Sequence, residues 1–149
     1  MAPDRMGPRE RVALVLLDSN ILMYMAAGIV APSMLGEAVG FKAKLATTAA
    51  VVEELKRLSE SHPRPKVRRR ARAALDLVAR LGLEILDYRL GDADDTLEAA
   101  ALDAKGEGLP VFVATSDRTL RRRLRRHGVP SIYYRESSGR LEAEWEPLL

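Results

Sequence analysis

The chain has 149 residues, 47% hydrophobic and 30% charged, with a net charge of +3 and no cysteine. That length fits one domain with a sizeable core, the apolar fraction excludes a disordered chain, and the lack of cysteine excludes a disulfide framework or a thiolate zinc site. No apolar run approaches the ~20 residues of a membrane span and no secretory leader is evident, so the expected location is the cytoplasm, away from membranes.

Residues 1–11, with Pro3, Gly7 and Pro8, read as a flexible basic arm before a single domain over 12–149. Val12 to Leu17 is an unbroken apolar run, as expected of a strand covered on both faces. Asp18-Ser19-Asn20 ends it, and Ser19 or Asn20 can cap a helix over 21–27. Gly28, Pro32, Gly36 and Gly40 mark a loop with a short helix inside it. Lys42 to Thr47 predicts a second strand, and Thr47 or Thr48 then caps a helix that runs to Ser61. His62-Pro63-Arg64-Pro65 breaks that helix, and Pro65 suits the first turn of the next. Val67, Ala71, Ala74, Leu75, Val78 and Leu81 form its apolar stripe, and Gly82 ends it. Strands over 84–88, 111–114 and 131–134 alternate with helices over 94–105 and 118–126, and 140–146 reads as an edge strand. Strands alternating with helices define an α/β fold with a mostly parallel sheet.

Neither a P-loop nor a dinucleotide-binding glycine motif is present. The two histidines, His62 and His127, have no neighbouring nucleophile, so acyl transfer is not supported; His127 is expected to pack against an apolar neighbour or to touch RNA. What remains is acidic residues at strand ends, where open parallel sheets bind ligands. Asp18 follows the most apolar strand, and Asp117 follows Val111-Phe112-Val113-Ala114 and the Thr115-Ser116 turn. Each is equally well read as a helix cap. At about 100° per residue, Glu54 falls at the edge of the helix face formed by Val51, Leu55 and Leu58, while Glu53 points outward, toward Arg57. Asp92, Asp94 and Asp95 open a helix, where acids favour the dipole, yet seven acids between 87 and 107 face only Arg89 and Lys105. Carboxylates without His or Cys suit hard ions such as Mg²⁺ or Mn²⁺.

The basic residues lie elsewhere. Only five of the 24 are Lys, and the rest are Arg, whose planar fork binds two phosphate oxygens at once. One block holds Arg64, Lys66, Arg68, Arg69, Arg70 and Arg72; the other puts six Arg between 118 and 126. Either is readable as a solvated face, but a self-repelling arginine run is relieved by an anionic polymer. An acidic pocket beside basic surface is the layout that metal-dependent phosphodiester cleavage requires.

The ordered set Leu17-Asp18-Ser19-Asn20, Val52-Glu53-Glu54-Leu55, Ala93-Asp94-Asp95-Thr96 and Ala114-Thr115-Ser116-Asp117-Arg118 resembles the PIN-domain ribonucleases over residues 12–135. With Gly128-Val129-Pro130 and Tyr133, the resemblance is nearest to archaeal relatives of the small-subunit processome PIN endonuclease. It implies a three-layer α/β/α sandwich and a Mg²⁺- or Mn²⁺-dependent endoribonuclease, with a role in ribosomal RNA processing. It implies that Asp18, Glu54, Asp94 or Asp95, and Asp117 hold the metal, leaving a 5′-phosphate and a 3′-hydroxyl. The family's register favours Asp95 as the catalytic residue, whereas the helical wheel favours Asp94. Asn20, Thr115 and Ser116 would bond the carboxylates or bound water, and Arg118, Arg121, Arg122, Arg125, Arg68 and Arg69 would bind RNA. A homodimer is allowed, and docking would use the arm, the basic helices or the segment with Trp145. The alternatives are a VapC-type toxin with an antitoxin partner and a non-catalytic RNA-binding PIN module; a haloacid-type hydrolase is disfavoured because Asn20 stands where a second Asp is needed.

Overall fold

A computed structural model describes residues 12–40, 42–88 and 91–144. The arm over 1–11, Trp145 and the end of the expected last strand lie outside the described residues. Six strands and six helices follow in chain order: β1 (Val12–Leu17), α1 (Ser19–Ala26), α2 (Pro32–Val39), β2 (Lys42–Thr48), α3 (Ala49–Ser61), α4 (Pro65–Leu81), β3 (Glu84–Leu86), α5 (Ala93–Gly106), β4 (Val111–Ala114), α6 (Arg118–Arg126), β5 (Ser131–Arg135) and β6 (Arg140–Glu144).

The strands form one sheet in the order β3-β2-β1-β4-β5-β6, flanked by helices. All neighbours are parallel except β5 and β6, which pair antiparallel. Apolar character on both faces explains why β1 and β4 lie in the middle. Leu16, Leu17 and Val113 are fully buried and Phe112 nearly so. Truncating one such leucine to alanine costs about 2–5 kcal/mol, so these two strands form a stiff base. From β1 the chain steps outward through β2 to β3, then crosses back to β4 on the other side of β1. The winding therefore reverses between β1 and β4, and a crevice opens beyond their carboxyl ends.

Local chemistry sets most element ends as the sequence suggests. Thr48 caps α3 by accepting from the Val51 N–H, Pro65 opens α4, and Gly82 ends it in the left-handed conformation at φ 61°. Three expectations change. The cap of α1 is Asp18 itself, not Ser19 or Asn20. Glu53 pairs with Lys56 at 3.4 Å rather than with Arg57. His127 is exposed, ending α6, with Nε2 3.4 Å from Glu98, so it is not packed into the core. No helix among the described residues is long and apolar enough to cross a membrane.

Candidate active site

Asp18 sits where the winding reverses. Its backbone N–H donates to the Ala114 carbonyl at 3.0 Å, extending the β1–β4 ladder by one residue and bringing it beside Thr115. The side chain is almost wholly buried. Its Oδ1 accepts from the Ser19 N–H at 2.7 Å, and its Oδ2 accepts from the Thr115 hydroxyl at 2.7 Å and the Asn20 amide at 3.3 Å. A buried carboxylate is tolerated only when it is hydrogen-bonded in this way. Burial is the main force pushing its pKa up, and the charges of Glu54 and Asp117 push the same way; the bonds from Thr115 and Ser19 oppose them.

Thr115 and Asn20 lock the turn after β4 onto the turn after β1. The Thr115 hydroxyl donates to Asp18 and accepts from the Asp117 N–H at 3.0 Å; the Asn20 carbonyl oxygen accepts from the Ser116 N–H at 3.0 Å. Asp117 caps α6 through the Leu120 N–H. Asp18 and Asp117 are thus both caps, and Asp117 bears on the charge of Asp18; the two readings of each residue are compatible, because capping uses Oδ1 and fixes the direction of the rest of the carboxylate. The Ser116 hydroxyl is buried without a hydrogen-bond partner among the described residues.

Glu54 and Asp94 come from two other helices. The Thr48 hydroxyl at the start of α3 donates to the Thr96 hydroxyl in the first turn of α5 at 2.8 Å, since Thr96 spends its own proton on the Ala93 carbonyl. That buried bond ties the two helices together, and Glu54 of one and Asp94 of the other each interact with the charge of Asp18. Asp94 is partly buried and feels Asp18, Asp117 and Asp92; desolvation first, then these charges, raise its pKa from 3.8 to about 6, with Arg123 pulling the other way.

Asp95, which the family register favours, faces elsewhere. Its Oδ2 accepts from the Asp92 N–H at 3.1 Å while Asp92 accepts from the Asp95 N–H at 3.0 Å, so the two form a reciprocal cap on α5. A Cβ on Gly91 would fall onto this carboxylate, which is why glycine with φ 63° precedes the cap. The Oδ1 of Asp95 binds Arg123 at 2.8 Å, and that bond holds its pKa down. The structure therefore brings Asp18, Glu54, Asp94 and Asp117 into electrostatic contact and leaves Asp95 as a cap and ion-pair partner.

The pocket's donors are all carboxylate or hydroxyl oxygens, and their mutual repulsion is what a doubly charged hard cation relieves. Among the described residues no group of three or more His, Cys, Asp or Glu side chains is drawn close enough to form a metal cage. Carboxylate oxygens are the donors that Mg²⁺ or Mn²⁺ takes, and these acids bear on one another's charge without closing on a common centre.

Helix α6 sorts its arginines by face. Arg118, Arg121, Arg122 and Arg125, spaced i, i+3, i+4 and i+7, line a cleft of about 530 Å³ that begins at Ser116 and ends against Tyr133, Tyr134 and Arg135 of β5. Arg123, on another face, binds Glu98 and Asp95 and braces α6 against α5. The α4 block is partly structural. Arg68 donates to the carbonyls of His62 and Pro63, and Arg72 to that of Ser59, where α3 ends, while Arg69 stays exposed. Tyr134 and Arg135, which follow Tyr133 in the run Tyr-Tyr-Arg after Gly-Val-Pro, complete this wall of the cleft.

An α/β sheet with four acidic residues around its winding reversal defines a class of domain, and a family model agrees with it. The model for a PIN-like domain matches residues 15–137, and the chain belongs to that family. Among solved structures, the PIN domain endonuclease Utp24 is similar with a TM-score of 0.70 and 23% identity, covering 95% of this chain and 96% of that one. A domain of a functionally unknown protein from Methanocaldococcus jannaschii is similar with a TM-score of 0.55 and 16% identity, over 92% and 99% of the two chains. VapBC2 from Rickettsia felis, bound to a DNA fragment from its promoter, gives a TM-score of 0.42 and 17% identity over 74% and 92%. At these identities the likeness is one of fold. No curated protein sequence matched the chain.

Proposed function

We propose that the protein is a divalent-cation-dependent endoribonuclease in which Asp18, Glu54, Asp94 and Asp117 hold the cation. The observation that carries this reading is the placement of Asp18: an acid buried at the sheet's winding reversal, fixed by Thr115 and Asn20, with Glu54 and Asp117 bearing on its charge. A bound Mg²⁺ or Mn²⁺ would supply Lewis acidity and a water of lowered pKa. The chain's own residues do the rest. Thr115 and Asn20 aim the Asp18 carboxylate, and burial keeps it from turning to solvent. Without a cation, burial and the charges of Asp18 and Asp117 push the Asp94 carboxyl up to about 6. The exposed arginines of α6 and Arg69 supply the positive surface for a phosphodiester backbone. Precursor ribosomal RNA is the substrate that the motif resemblance implies, with products carrying a 5′-phosphate and a 3′-hydroxyl.

The test uses the full chain and an end-labelled RNA hairpin with a single-stranded loop. Cleavage is expected with Mn²⁺ and is expected to stop with EDTA. Asp18→Asn should remove cleavage yet melt as a folded protein, because asparagine caps a helix as well as aspartate does. Cleavage that persists in EDTA, or an Asp18→Asn protein as active as the parent, would overturn the reading.

A further inference from the structure

We propose that the sheet carries, at the end away from Asp18 and Asp117, a docking groove for a basic amphipathic helix of a partner protein. Val12 and Leu14 of β1, Lys44 of β2, and Glu84 and Leu86 of β3 point to one face of the sheet, because alternate residues and their parallel partners share a side. Helix α5 packs on β4, β1 and β2, whereas β3 packs mainly on β2. Beside α5 the face is left as an open hollow of about 400 Å³. The width of two strands, about 10 Å, is also the distance between packed helices, so the hollow suits one more helix alongside α5.

Apolar surface stands open there. Val12 and Leu109, both on the groove, are 41% and 46% exposed, while the core leucines are wholly buried. Leu109 also walls a second hollow of about 270 Å³, which Pro110, Phe112 and Pro130 complete. Two hollows flanking one exposed leucine are sockets for apolar residues one or two turns apart on a helix. The charge selects the helix. Asp103 and Glu107 are exposed, one turn apart on the α5 flank of the groove. Neither has a cationic partner among the described residues: Asp103 accepts from the Tyr88 hydroxyl at 2.6 Å, and the one amine lining the groove, Lys44, pairs with Glu84 at 3.1 Å. The bond to Asp103, then burial and the charges of Asp103 and Glu107, push the Tyr88 hydroxyl up to about 12, so both carboxylates bear on the groove. On a chain of net charge +3 this is an acidic, apolar hollow. It repels a phosphodiester backbone and attracts lysine or arginine. Asp18 lies six residues along from Val12, about 20 Å away, so a helix in the groove leaves the acidic pocket open.

The assay is fluorescence anisotropy on the full chain with a fluorescein-labelled helical peptide of about 15 leucines and lysines, the leucines at i, i+3, i+4 and i+7. It should bind, more weakly as salt rises, and its counterpart with glutamate in place of lysine should not. Leu109→Asp should weaken binding about tenfold or more, since it puts a charge between the two sockets. Glu107→Lys should weaken it severalfold. Leu81→Asp, which changes a comparably exposed leucine at the end of α4, should bind as the parent does. Cleavage of the RNA hairpin should be unchanged in Leu109→Asp, so failure of the nuclease reading shows separately, as no cleavage by the parent with peptide binding intact. The proposal is overturned if the peptide does not bind the parent, if the glutamate peptide binds equally, or if Leu109→Asp and Glu107→Lys, both folded by their melting curves, bind as the parent does. A parent that sediments as a dimer, and a Leu109→Asp protein that sediments as a monomer, would also overturn it, in favour of a second copy of this chain in the groove.

Discussion

Replacing Asp94 by asparagine should make the cation-free protein more stable at neutral pH. Asp94 is an acid whose folded-state pKa stands at about 6 against 3.8 in the unfolded chain. Below 3.8 it is protonated in both states and adds nothing; as pH rises toward 6 the unfolded chain releases the proton first, and stability is lost through that window. At 1.36 kcal/mol per unit the shift corresponds to about 3 kcal/mol, and solvent screening of a partly exposed group reduces that to about 1–2 kcal/mol. Asparagine carries no charge and removes the penalty. A domain of this size gains roughly 2–4 °C per kcal/mol, so the variant should melt about 3–6 °C higher at pH 7.5 in EDTA. At pH 4 the gain should be small. Differential scanning calorimetry across this pH range decides the matter. A variant that melts at or below the parent at pH 7.5, or whose gain is undiminished at pH 4, would refute the reasoning that Asp94 faces Asp18 and Asp117.

Divalent cation should reverse the order: Mn²⁺ at a hundredfold excess over its dissociation constant should stabilise the parent by about 2.7 kcal/mol and Asp94→Asn by much less, read as the difference in melting temperature with and without EDTA. Asp95→Asn should keep RNA cleavage close to the parent's and lower the midpoint of urea unfolding, because its carboxylate serves the α5 cap and Arg123. Thr115→Val should cost about 1–3 kcal/mol and lower cleavage as well, since it strips a buried carboxylate of its donor and leaves the Asp117 N–H without its acceptor.

Residue type and spacing settled the elements of this protein. The apolar runs at 12–17 and 111–114 became the two central strands, and the stop at 62–65 and Gly82 fell where α3 and α4 end. These follow from backbone chemistry and periodicity, which act within a few residues. The ends of β1 and β4 marked Asp18 and Asp117, while the order of the strands came only with the tertiary structure.

The choice between Asp94 and Asp95 was not within reach. Both open the same helix; Arg123, arriving from α6, takes Asp95 and leaves Asp94 to feel the charges of Asp18 and Asp117. The same holds for the arginines. Their number is a property of the chain, but four of them face a cleft only because β5 lies alongside α6, and others are spent on Asp95, Glu98 and the carbonyls at the end of α3. Charges separated by dozens of residues are brought together by packing, and no local rule carries that information.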